Sequence, residues 1–307
     1  MEQLRADSIV QGFLNNSNLT LAEQLDAEVI SIIAPMTPPW DDVVRLAIEE
    51  LSEASEGVDE DQEGGTSRKR KLAVVLETTG GYIETVERMV RAMRQFYEEV
   101  IFVIPNFAYS AGTVLALSGD DIYMDYHSIL GPIDPQYGAS NGEYVPGMGY
   151  LAKYKELVHT INTAPDAGQV RAEISYLIEK FDPAKLFHIE QAIEHSKSLL
   201  KEWLPKYKFK NWTERATTKT TVTAQDKQVR ANEIAEILGD AQRWHSHGRG
   251  ITCDDLGSEE IKLKITNYGS DPDLKVSIRN YHNLLVDYMG RRSWPAVIHT
   301  KLGLRTS

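Results

Sequence analysis

The chain has 307 residues, 42% of them hydrophobic and 25% charged, enough apolar chain for a sizeable core built as one large domain or one with an appendage. Its 33 basic and 45 acidic residues leave a net charge of −12, a surface that repels phosphate backbones and anionic lipid and argues against either as the main partner. The lone cysteine, Cys253, excludes an intrachain disulfide and fits a reducing compartment.

The first residues, MEQLRADSIVQGFLNNSNL, have no positive segment followed by an apolar one, so no signal peptide is expected. Residues 1–26 read as an N-terminal extension of a cytoplasmic protein. Ala27 to Pro38 is a short run rich in Val and Ile, closed by prolines, and predicts a buried strand. WDDVVRLAIEELSEA follows with Val43, Val44, Ala47 and Leu51 on one helical face and Asp41 or Asp42 as its cap. Residues 53–71 are acidic, then glycine-containing, then basic, the pattern of a solvated flexible loop.

Lys71 to Gly81 predicts a second strand ending in a Gly-Gly turn. A helix with Ile83, Val86, Val90, Met93 and Tyr97 on one face comes next. The uncharged run Ile101 to Leu117 contains Pro105, Asn106, Ser110 and Gly112 and falls short of the ~20 apolar residues of a membrane span. It reads as strand, turn and short helix. A strand-like DIYMDYHSIL and a Gly- and Pro-rich loop follow.

This order implies βαβ crossovers and a mainly parallel sheet, an α/β class. Downstream the chain turns helical: Asp182-Pro183 predicts an N-cap and first-turn proline, with Leu186, Ile189, Ile193 and Leu200 as the buried stripe. From residue 213 the pattern weakens. The expected organisation is a core over 27–212 and a mixed appendage over 213–307.

Three features of the sheet half carry chemistry. Gly80-Gly81 follows a strand, where glycines let backbone approach a ligand and point N–H groups into a cleft; a plain turn is the alternative. Ser110, in AYSAG, sits where strand becomes helix, with the Ala111 N–H nearby for a developing oxyanion. It is a weak relative of the G-x-S-x-G elbow, with Ala108 in place of the first Gly; a small packing residue is the alternative. DYHSILGPIDPQ places His127, Asp134 and Gln136 in the next strand and loop, at the edge where parallel strands end.

Together, ETTGG, AYSAGTVLALSGD, LGPIDPQ and the later RWHSHGRGI resemble the ClpP/crotonase superfamily, and within it the serine dehydrogenase proteinase family, relatives of signal peptide peptidase A and the NfeD-type proteases. The resemblance implies a ClpP/crotonase-like spiral of repeated ββα units, usually assembled as a homo-oligomer. It implies an ATP-independent serine peptidase acting on peptides or proteins, without a cofactor. Ser110 would be the nucleophile, with Gly81, Gly80 beside it and Ala111 as the oxyanion hole.

The general base is not fixed by the resemblance. Aligning PIDPQ with the ClpP histidine puts Ile133 or Asp134 there, and Gly147 stands after Pro146 where NfeD relatives have lysine. A lysine base has to be buried or crowded by positive charge. No lysine occurs between Lys71 and Lys153, so Lys153 and then Lys155 are the nearest candidates, with His127 as the rival. Asp134 fits better orienting His127 or a substrate amide. His245 and His247 are spaced i, i+2 without further metal ligands nearby. Two other readings stay open: a crotonase-type enzyme acting on acyl-CoA, and a ClpP-like scaffold without catalysis.

Overall fold

Val- and Ile-rich runs become strands, and the amphipathic runs between them become helices covering both faces of one sheet. The computed structural model describes residues 2–59, 70–133, 136–138, 144–215, 217–244 and 249–306. Helix α1 (Glu2–Leu25) precedes β1 (Glu28–Ile33), α2 (Trp40–Asp59), β2 (Lys71–Glu77), α3 (Ile83–Phe96) and β3 (Glu99–Val103). A short β4 (Phe107–Ala108), α4 (Ala111–Leu117), β5 (Asp121–Met124) and a short β6 (Ile129–Leu130) follow. A hairpin of β7 (Gln136–Gly138) and β8 (Tyr144–Pro146) leads to α5 (Gly147–Thr163), α6 (Arg171–Lys180), α7 (Pro183–Lys206) and α8 (Ala224–Leu238). The chain ends through α9 (Ala241–Trp244), α10 (Cys253–Gly257), β9 (Thr266–Asn267), α11 (Pro272–Arg292), β10 (Val297–Thr300) and β11 (Gly303–Thr306).

The central sheet has seven strands in the order β11-β10-β1-β2-β3-β5-β9. Its β1, β2, β3, β5 and β9 run parallel, while β10 and β11 form an antiparallel edge. Alternation along β2 explains the two layers. Leu72, Val74 and Leu76 pack with Ile48, Met89 and Leu115 on one face, and Ala73 and Val75 pack with Leu14, Leu21, Ile278 and Leu285 on the other. Burial of each large apolar side chain stabilises the fold by about 1.5–3 kcal/mol.

After β1, β2, β3 and β5 the chain steps into a second, short ladder, which on the first three leads into a helix. Met36 bridges Gly81, Thr78 bridges Ala108, β4 pairs with β6, and Leu130 bridges Ile251. This repeated strand, step and helix is the ββα spiral that the resemblance implies. The uncharged run Ile101 to Leu117 is β3, β4 and α4, buried over most of its length. No helix among the described residues is long and apolar enough to cross a membrane.

The two chain ends are more integrated than the sequence pattern implies. The N-terminal extension is helix α1, packed on the sheet: Leu14, Leu21 and Leu25 are buried, and the Asn18 amide donates to Val29 O at 3.1 Å. The stretch from 213 onward, expected as an appendage, supplies β9 at one edge of the sheet and β10 and β11 at the other. Helix α7 follows its prediction, with Asp182 accepting from Ala184 N at 2.9 Å and the expected stripe buried.

Candidate active site

Ser110 ends the step from β4 into α4 and holds φ 53° and ψ −119°, a conformation costing an L-residue roughly 1–3 kcal/mol. The surroundings over-determine it. Thr78 N–H donates to Phe107 O (3.2 Å) and Tyr109 N–H donates to Thr78 O (3.0 Å), which fixes the strand before the serine. After it, Thr113 N–H donates to Ser110 O at 2.9 Å. The Thr113 hydroxyl lies 2.8 Å from Ala108 O and 2.7 Å from Gly131 O, and accepts from Gly131 N–H at 3.0 Å. Small residues make this turn possible: a Cβ on Gly112 would stand 2.2 Å from Thr78 Cγ2.

The glycine pair lies directly against this turn. Gly80 has φ +93°, and a Cβ there would stand 2.7 Å from Tyr109 O, 2.9 Å from Ser110 Cβ and 3.4 Å from Ala111 N. Gly81, at φ +152°, would drive a Cβ to 2.3 Å from Met36 O. Gly80 O accepts from Met36 N–H at 2.8 Å, and Tyr82 N–H donates to Met36 O at 2.7 Å. A trans peptide points its C=O and N–H in opposite directions. Met36 therefore aims the Gly81 N–H away from itself, toward the nucleophile side of the ladder.

Among the described residues, neither the Gly81 nor the Ala111 N–H has an acceptor. The Gly80 N–H differs: it donates to Thr78 Oγ1 at 3.0 Å. Gly80 is thus placed as a contact residue rather than as a donor. Ser110 is 8% exposed, so the site is recessed. Tyr82, 62% exposed, stands beside Gly81.

His127 is not brought to the serine. His127 lies in a turn capped by Asp125, whose Oδ1 accepts the His127 N–H at 2.9 Å. It precedes β6, whereas Ser110 follows β4. Because these strands run parallel with Phe107 facing Ile129, His127 and Ser110 lie at opposite ends of the ribbon. Lys153 and Lys155 are exposed on α5, and Lys153 Nζ pairs with Glu156 Oε1 at 2.9 Å. Neither has the burial expected of a proton-accepting lysine. Asp134, His245 and His247 lie outside the described residues.

Sequence reasoning missed Thr78, Thr113 and Met36, whose roles depend on the second ladder. It also missed a histidine–carboxylate pair on the opposite face: His282 Nε2 lies 2.8 Å from Glu77 Oε2, which also accepts from Asn106 at 3.1 Å. Strand alternation turns Glu77 toward α11 and away from Ser110. Among the described residues no group of three His, Cys, Asp or Glu side chains is placed to hold a metal.

Residues 64–148, a little over a quarter of the chain, match the family described as ClpP-like SDH-type serine proteinase. Two uncharacterized proteins of Methanocaldococcus jannaschii are each 32% identical, over 71 residues (23% of this chain) and 73 residues (24%). Each match covers 25% of the relative, so the chain spans about a quarter of the length of the curated relatives it matches. Among solved structures, a variant of the membrane-bound stomatin-specific protease 1510-N is 18% identical, with 55% of this chain and 83% of that chain covered and a TM-score of 0.30. ClpP1 from Listeria monocytogenes is 11% identical, with 52% and 84% covered and a TM-score of 0.27. The matched segment, which holds Gly80-Gly81, Ser110 and the Gly131 loop, is similar to the ClpP-like SDH-type serine proteinase family.

Proposed function

We propose that this chain is a serine peptidase that hydrolyses peptide bonds through Ser110. The observation that carries the reading is the strained Ser110 turn flanked by the acceptor-free N–H groups of Gly81 and Ala111. Ser110 Oγ attacks the scissile carbonyl as its proton passes to a general base. The two amides hold the oxyanion, a preorganised arrangement worth about 10²–10³ in rate per donor. The base then protonates the leaving amine, and water, activated the same way, releases the acyl group from the serine.

Lys153 is the first candidate base, because it is the nearest lysine downstream of the nucleophile turn; Lys155 is the next. Either has to lose its present exposure and become buried beside Ser110, within the chain or across a protomer contact. His127 requires a larger rearrangement, and Asp134 serves better as an orienting group. A homo-oligomer fits the α5–α7 stretch, where α6 buries none of its own side chains and Tyr176, Ile178 and Phe187 are exposed. The single cysteine fits a cytoplasmic setting.

A second reading, a scaffold without catalysis, is favoured by the exposed Lys153–Glu156 pair and the remote His127. Turnover of a peptide substrate by the wild type and by Ser110→Ala separates the two. The peptidase reading expects wild-type turnover that Ser110→Ala abolishes with folding intact. Equal rates in both proteins exclude Ser110 as the nucleophile.

A further inference from the structure

We infer that Thr78 is a positioning residue for the oxyanion strand, its hydroxyl setting the direction of the Gly81 N–H. The inference rests on the reading of Ser110 as nucleophile. Thr78 is 3% exposed and touches both halves of the site. Its backbone exchanges hydrogen bonds with Phe107 O and Tyr109 N–H, and its hydroxyl accepts the Gly80 N–H at 3.0 Å.

The need for this hydroxyl follows from the glycines. A Gly-Gly pair has more accessible backbone states than any other, so the direction of its N–H groups must be imposed from outside. Two bonds do so. Thr78 Oγ1 holds the N–H entering Gly80, and Met36 N–H holds the C=O leaving it. Together they fix both dihedrals of Gly80 and hence the peptide plane that carries the Gly81 N–H. Loss of the hydroxyl removes one pin and leaves the Gly80 N–H to compete for the oxyanion position.

Thr78 also packs its methyl at Gly112, so the test separates hydroxyl from methyl. Thr78→Val keeps the shape and removes the acceptor. Thr78→Ser and Thr78→Ala both lack the methyl and differ only in the hydroxyl, which keeps the comparison usable if the valine variant folds poorly. Each is labelled at Ser110 with a fluorophosphonate probe, and kcat and KM are measured on a peptide. The expected result is labelling and kcat at least about tenfold lower for Val than Thr and for Ala than Ser, with KM little changed. Rates that follow the methyl, or do not vary, overturn the inference while leaving Ser110 as nucleophile. Absence of a wild-type adduct overturns the nucleophile reading and this inference with it.

Discussion

Gly80 and Ser110 are in direct contact: a methyl on Gly80 would lie 2.9 Å from Ser110 Cβ and 2.7 Å from the Tyr109 carbonyl oxygen. Both obstacles are held in a strained turn with little room to yield, and Gly80 itself has φ +93°. Gly80→Ala is expected to cost about 1–3 kcal/mol of stability and to lower peptidase activity by more than about tenfold. Urea unfolding alongside initial rates checks both effects.

Gly112 meets Thr78 in the same way, since its Cβ would stand 2.2 Å from Thr78 Cγ2. Gly112→Ala is expected to destabilise by about 1–3 kcal/mol through overpacking. Thr78→Ser removes the clashing methyl. The double variant Gly112→Ala/Thr78→Ser should therefore be more stable than Gly112→Ala alone, a non-additivity read directly from a double-mutant cycle. Additive melting shifts contradict the contact.

The backbone of Ser110, at φ 53° and ψ −119°, gives a prediction independent of catalysis. Alanine removes the hydroxyl but keeps the penalty of that conformation, whereas glycine adopts it readily. Ser110→Gly should unfold at higher denaturant than Ser110→Ala, by about 1 kcal/mol. Equal midpoints indicate a relaxed turn.

A pH dependence arises far from the site. His299 is fully buried; its Nδ1 lies 2.6 Å from the Tyr281 hydroxyl and its Nε2 lies 3.0 Å from Asn15 Oδ1. Neutral imidazole satisfies both partners. Burial lowers its pKa from 6.5 to about 4. The folded state therefore binds fewer protons than the unfolded state between these values. This contribution is complete above about pH 6.5 and is lost as pH falls toward about 4, on the order of 3 kcal/mol in total. Urea midpoints at pH 7 and pH 5 should differ more for the wild type than for His299→Gln.

Much of the sheet half was legible because its periodicities are undiluted. The Val- and Ile-rich runs at β1, β2 and β3 form buried strands, and the α3 stripe Ile83, Val86, Val90 and Met93 is buried as its spacing predicts. Helix α1 was not legible as a packed element, since its few core residues lie among polar ones and Asn18 bonds to β1 and Tyr281. Strands β9, β10 and β11 were hidden because two- and four-residue strands leave too short a pattern. The turns at Gly80-Gly81 and Ser110 were readable because tight turns demand particular residues. The place of His127 was not: it is near Ser110 in sequence, but the parallel β4–β6 register sends it to the far end.

The most direct measurement is fluorophosphonate labelling of the purified protein, with the adduct located by mass spectrometry and Ser110→Ala as control. The peptidase reading predicts one adduct, on Ser110, absent from the variant. A well-folded wild type that takes no label, or takes it on another residue, contradicts an activated serine at this turn.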